Sequence, residues 1–123
     1  MNDSFGLRSE DLATLIAILA QYPAVQTALI FGSRAKGNYK PGSDVDIALQ
    51  GDEVTDRIAA EIAYHLNEDT LMPYHFDVLN YRMIANPDLV AHIDRVGVPF
   101  YTAVAKPNKR RYSRTPKVKQ TNE

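Results

Sequence analysis

The chain contains no cysteine and no tryptophan among its 123 residues. Without thiols, disulfide bridges and thiolate metal sites are excluded. No apolar run approaches the length a helix needs to cross a bilayer, and no charged-then-apolar leader opens the sequence, so a soluble cytoplasmic protein with no membrane partner is expected. Seven tyrosines are present, but they form no stripe on which bases would stack. The three histidines, His65, His75 and His92, are dispersed without ligand spacing and read as surface or structural residues. No segment repeats another. A chain of this length forms one domain around a single core.

The formal charge of −1 hides an asymmetry. Up to Ala105 there are 7 Lys/Arg against 14 Asp/Glu, and from Lys106 onward 7 Lys/Arg against Glu123 alone. The expected division is therefore a folded domain over 1–105 and a basic, disordered tail over 106–123. Such a tail can contact nucleic acid or an acidic surface; no nucleic acid is expected at the core domain.

Periodicity predicts a mixed α/β domain, a small mixed β-sheet packed against helices. Ser9 is placed as the cap of a first helix whose opening turn carries Glu10 and Asp11. Leu12, Leu15, Ile16 and Leu19 follow at helical spacing, and Pro23 ends the segment. Strands are expected at Val25–Phe31, Ser43–Leu49 and Phe76–Leu79, with a short helical turn at Ser33–Lys36. A second long helix is expected from Asp52 to Glu68, with Ile58, Ile62 and Leu66 inward. Asn86 as cap, Pro87 in the first turn and Gly97 past the end bracket a last helix with Leu89, Ile93 and Val96 inward. Val98–Tyr101 can form a short strand, which Pro99 places at an edge.

Chemistry concentrates between the first two strands. The apolar run Leu29-Ile30-Phe31 leads into Gly32-Ser33-Arg34-Ala35-Lys36-Gly37, and Ser43-Asp44-Val45-Asp46 opens the next strand. Side chains alternate along a strand, so Asp44 and Asp46 share one face while Val45, Ile47 and Leu49 take the other. Paired carboxylates beside a Gly-Ser turn suit Mg²⁺ and a phosphate chain. A third acid, Asp77, sits between Phe76 and Val78 in an apolar strand where an acid has low β propensity. Tyr39 and Lys40 fall on the loop between the motif halves and read as solvated.

Gly-Ser, ten residues, then Asp-x-Asp resembles the signature of the DNA polymerase β superfamily of nucleotidyltransferases. The small size and the closing run from Asn86 to Val98 further resemble its minimal nucleotidyltransferase (MNT) branch. The likeness covers the chain from the first helix to Tyr101. It implies a polymerase β-like fold with Asp44, Asp46 and Asp77 as catalytic and metal-binding acids for two Mg²⁺ ions. It implies further that Gly32, Ser33, Arg34 and Lys36 bind the nucleotide, with ATP as substrate. Gly32 is expected to be small because the triphosphate passes close to the backbone. The chain has no room for the added helical domain of larger superfamily members.

Three functions compete. Members of the branch are often encoded beside a HEPN-domain toxin, which implies AMP transfer from ATP to a hydroxyl, a tyrosine, of that partner by a catalytic antitoxin. A second reading is a small-molecule nucleotidyltransferase, whose usual extra helical domain is missing here. A third is a non-catalytic antitoxin that neutralises a HEPN ribonuclease by binding; the intact Gly-Ser and acid motif argues against a degenerate site.

Overall fold

The structure is a computed structural model that describes residues 4–103. The basic tail expected over 106–123 lies outside the described residues. After a short 3₁₀ turn at Ser4–Gly6 the elements run α1 (Ser9–Ala20), β1 (Thr27–Phe31), α2 (Ser33–Lys36), β2 (Val45–Gln50) and α3 (Asp56–Glu68). They continue with β3 (Phe76–Asn80), a 3₁₀ turn at Tyr81–Met83, α4 (Pro87–Val96) and β4 (Val98–Thr102). Among the described residues, no helix is long and apolar enough to cross a membrane.

The four strands form one mixed sheet in the order β3-β2-β1-β4. β1 is antiparallel to both β2 and β4, whereas β2 and β3 run parallel. Parallel neighbours need a crossover, which α3 provides. β4 lies at an edge, where Pro99 costs no internal ladder bond.

Alternation divides the sheet into two unequal faces. Ala28 and Ile30 of β1, Val45, Ile47 and Leu49 of β2, and Phe76 of β3 join Leu15 and Leu19 of α1 and Ala59, Ile62 and Leu66 of α3 in the main core. On the opposite face Leu29, Phe31 and Ala48 pack with Ile93 of α4, flanked by Leu79, Leu89 and Val96. The apolar stripe expected on α1 is centred on Leu15 and Leu19, with Leu12 and Ile16 only partly buried.

Two helix starts differ from expectation. Ser9 lies inside the first turn of α1, and the cap position is taken by Arg8, whose side chain does not bond the helix backbone. Instead Arg8 Nε donates to Asp11 Oδ2 at 2.7 Å, and the Tyr74 hydroxyl donates to the same oxygen at 2.9 Å. Asp11 is therefore a buried, fully partnered acid. The Arg8 bond holds its carboxyl below the usual range, against the opposing effect of burial and with added help from Tyr74. α3 begins at Asp56 because the Thr55 hydroxyl accepts from the Ile58 N–H at 3.1 Å, a cap contributing about 1 kcal/mol. The preceding residues are held in a turn by Val54 N–H donating to Gly51 C=O. α4 keeps its expected limits, with Asn86 Oδ1 accepting from Asp88 and Leu89 N–H groups.

Two devices fix the end of the sheet where β1 stops and β2 and β3 begin. The Asn67 side chain of α3 acts as a substitute strand: its Nδ2 donates to Phe76 C=O at 2.9 Å, and its Oδ1 accepts from Phe76 N–H at 2.8 Å. This satisfies the outer edge of β3 at its first residue. The second device is Arg34, which is buried at 2% exposure. Its Nη1 donates to Phe5 C=O at 2.9 Å, while Nε and Nη2 both donate to Ser43 C=O, and Nη2 also reaches Pro41 C=O. The guanidinium lies between the rings of Tyr39 and Tyr74, 5.0 and 5.2 Å from their centroids. The rigid fork joins the N-terminal turn to the loop between α2 and β2.

Arg34→Met should lower the unfolding free energy by roughly 3 kcal/mol, because three backbone carbonyls lose their donor and two rings lose a cation. Arg34→Lys should recover only a minor part, since a point charge cannot serve three carbonyls in one plane. Urea unfolding followed by circular dichroism, with chelator present, measures both. Wild-type stability in Arg34→Met would show that the loop is ordered by other contacts.

Candidate active site

The parallel pairing of β2 and β3 sets Val45 beside Phe76 and Asp46 beside Asp77, while Phe31 at the end of β1 faces Asp46 from the other side. Val45 and Phe76 point into the main core, so Asp46 and Asp77 project together on the opposite face. Asp44 lies one step before β2, and its carboxylate meets that of Asp77. The three acids thus share one face at one end of the sheet, as strand phase requires.

They are not equivalent there. Asp44, Asp77 and His75 are exposed, and one donor atom from each lies within 4.8 Å of the others. Asp46 is half-buried beside them. Burial, and after it the charges of Asp77 and Asp44, push its carboxyl up to about 6, while His75 acts in the opposite direction. A site that raises the proton affinity of one carboxylate through two others carries an excess of negative charge that a divalent cation relieves. The carboxylate donors are hard oxygens suited to Mg²⁺. Asp44, Asp46 and Asp77 therefore fit the metal role.

Asp46 also explains Gly32. The glycine has φ +73°, a conformation L side chains rarely adopt, and a Cβ there would collide with Asp46 Oδ2. The requirement expected from a passing triphosphate is already imposed by this carboxylate. Gly32 then opens α2, a single turn in which Lys36 N–H bonds Gly32 C=O and Gly37 N–H bonds Ser33 C=O. Ser33 is thereby held at the first position of the turn, half-exposed at the end of β1. Lys36 is exposed at its last position.

Arg34 departs from its expected role. Its guanidinium is turned inward onto carbonyl groups and two tyrosine rings, so it orders the loop instead of presenting charge to a phosphate. Tyr39 likewise is not a free loop residue: it stacks on Arg34 and closes over Gly6. His75 is the residue that sequence reasoning passed over. His75-Phe76-Asp77 repeats the i, i+2 pattern of Asp44-Val45-Asp46, and that repetition was the available signal.

A carboxyl whose folded pKa lies above its unfolded value of 3.8 binds more protons when folded, so its contribution to stability is lost as pH rises toward 6. Metal-free protein should therefore lose stability between pH 4 and pH 6, and Asp46→Asn should flatten that slope. Asp11 acts with the opposite sign but below pH 3.8, outside this window. Urea unfolding across the range with chelator tests this; an unchanged slope in Asp46→Asn would assign the effect to another group.

Over 75 residues the chain is 33% identical to the probable protein adenylyltransferase MntA of Haemophilus influenzae; the match spans 61% of this chain and 66% of that protein, just under two thirds. The fold is shared with a toxin–antitoxin crystal structure containing AMP-PNP, at 22% identity and a TM-score of 0.59 over 76% of this chain and 72% of that one. It is shared also with an MntA–HepT toxin–antitoxin structure, at 20% identity and a TM-score of 0.55 over 75% and 70% of the two chains. The family model for polymerase beta nucleotidyltransferases matches residues 13–104, and the chain belongs to that family.

Proposed function

We propose that this protein is an Mg²⁺-dependent nucleotidyltransferase that moves AMP from ATP to a tyrosine hydroxyl of a cognate HEPN toxin, and so acts as the antitoxin. The observation that carries this reading is the convergence of Asp44, Asp46 and Asp77 beside the Gly32-Ser33 turn. The adenylyltransferase name of the Haemophilus relative and the toxin–antitoxin structures of the same fold support the reaction and the partner.

Asp44, Asp46 and Asp77 would hold two Mg²⁺ ions. Bound there, the ions supply charge neutralisation at the α-phosphate and the departing pyrophosphate. Ser33, at the start of α2, offers its hydroxyl and the adjoining backbone N–H groups to the β- and γ-phosphates. Lys36, exposed on the same turn, adds positive charge. The attacking tyrosine oxygen forms the new bond to the α-phosphorus as the bond to pyrophosphate breaks. Asp77, exposed at the start of β3, receives the hydroxyl proton. The exposed setting of Asp44 and Asp77 suits an acceptor carried on another protein.

Asp44→Ala should cut transfer of labelled AMP to the toxin roughly a hundredfold or more, because it removes a carboxylate from the charge-stabilising set. Its stability in chelator should equal or exceed that of wild type, since repulsion is relieved and no core side chain is lost. Wild type should gain about 2.7 kcal/mol from Mg²⁺ and ATP at a hundred times the dissociation constant, and the variant should not. Modification of a free small molecule with none on the toxin would favour the small-molecule reading. Full neutralisation of the toxin by Asp44→Ala would favour the binding antitoxin.

A further inference from the structure

The imidazole of His75 belongs to the acid cluster by construction of the fold. Val45 N–H donates to His75 C=O at 2.8 Å, which begins the β2–β3 ladder and holds the His75 backbone alongside Asp44 and Val45. Phe76 points into the core, so His75 and Asp77 both point to the open face. His75 Nε2 stands 3.4 Å from Asp77 Oδ1, beyond ordinary hydrogen-bond length, so the ring is near its neighbours without being tied to either. Both side chains are more than half exposed, at 61% and 52%, and are free to adjust.

The spacing suits a shared ion. Ligands about 2.1 Å from one octahedral ion lie roughly 3.0 Å apart when adjacent and roughly 4.2 Å apart when opposite. One donor atom from each of Asp44, His75 and Asp77 already falls within 4.8 Å of the others, so small side-chain rotations complete the set. The donor chemistry is mixed, with two carboxylate oxygens and one imidazole nitrogen. Mg²⁺ takes oxygen ligands and keeps its waters, whereas Mn²⁺ tolerates an imidazole better than Mg²⁺ does, and affinity for it rises along the later first-row ions.

We propose that His75 is a direct ligand of the divalent ion held by Asp44 and Asp77, and that this nitrogen shifts the site's preference from Mg²⁺ toward Mn²⁺. The inference rests on the metal role argued above for the acids and adds a residue and a selectivity to it. His75 would bind as the neutral imidazole through Nε2, the nitrogen that faces Asp77.

The test uses Mn²⁺ alone as probe on the full chain, with no nucleotide and no toxin. Calorimetric titration should show Mn²⁺ bound roughly tenfold or more tightly than Mg²⁺. His75→Ala should lose roughly tenfold in Mn²⁺ affinity while its Mg²⁺ affinity changes little. His75→Asp, with an all-oxygen set, should narrow the gap between the two ions. Electron spin echo modulation of the bound Mn²⁺ should carry the signature of a directly coupled ¹⁴N in wild type and lose it in His75→Ala. The exposed position makes misfolding of these variants a poor explanation, and a thermal melt in chelator checks it. Bound Mn²⁺ without nitrogen coupling overturns the role of His75 and leaves the acids as ligands. Failure of wild type to bind either ion overturns both readings together.

Discussion

The Arg34 guanidinium is the interaction on which the geometry of the site depends. Its carbonyl partners belong to the N-terminal turn and to the loop that joins α2 to β2. That loop separates Gly32-Ser33 from Asp44-Val45-Asp46, and it contains Pro41 and Gly42 but no helix or strand of its own. A backbone of this kind has many conformations of similar energy. The fork of donors fixes one of them by binding Ser43 C=O twice, directly before Asp44. The Tyr39 and Tyr74 rings then shield the cation, and Tyr74 passes the constraint to Asp11 of α1. A buried cation is thus exchanged for order in the exposed loop that leads into Asp44.

A second constraint runs the other way, from the site into the fold. Asp46 lies against Gly32, so the two motif halves touch through one carboxylate and one missing Cβ. Burial and neighbouring charge disfavour ionisation of that carboxylate. The sheet tolerates it because the opposite face of the same strand is fully committed to the core through Val45, Ile47 and Leu49. The cost of holding like charges together is met by apolar burial a few ångströms away, on the other side of the backbone.

Much of this was legible in the sequence because it follows from period alone. Strand alternation placed Asp44 and Asp46 on one face, and the parallel register then put Asp77 beside them. Asn86, Pro87 and Gly97 marked α4 because cap chemistry is local. The departures all involve partners distant in the chain. Arg34 resembles a phosphate-binding cation until Phe5, twenty-nine residues earlier, supplies a carbonyl for it. Ser9 resembles a cap until Asp11, drawn by Tyr74, takes Arg8 as its partner. His75 looked isolated because its ligand spacing is made across strands, with Asp44 thirty-one residues away, and not along one.

The division of the sheet's second face explains why the acid cluster is open. α4 covers Leu29, Phe31 and Ala48, and it leaves the starts of β2 and β3 uncovered among the described residues. A domain of this size gains most of its stability from the face that α1 and α3 bury, so the second face can be left half bare. The bare half carries acids, and the chain as far as Ala105 has twice as many acids as bases. An anionic nucleotide approaching these clustered carboxylates is repelled at close range unless cations accompany it. On the reading proposed above, metal and nucleotide would be linked by the field of these acids: carboxylates that repel a bare triphosphate would accept it once its charge is neutralised. Specificity for the charged-compensated nucleotide would then arise at the first encounter, before any contact with the base.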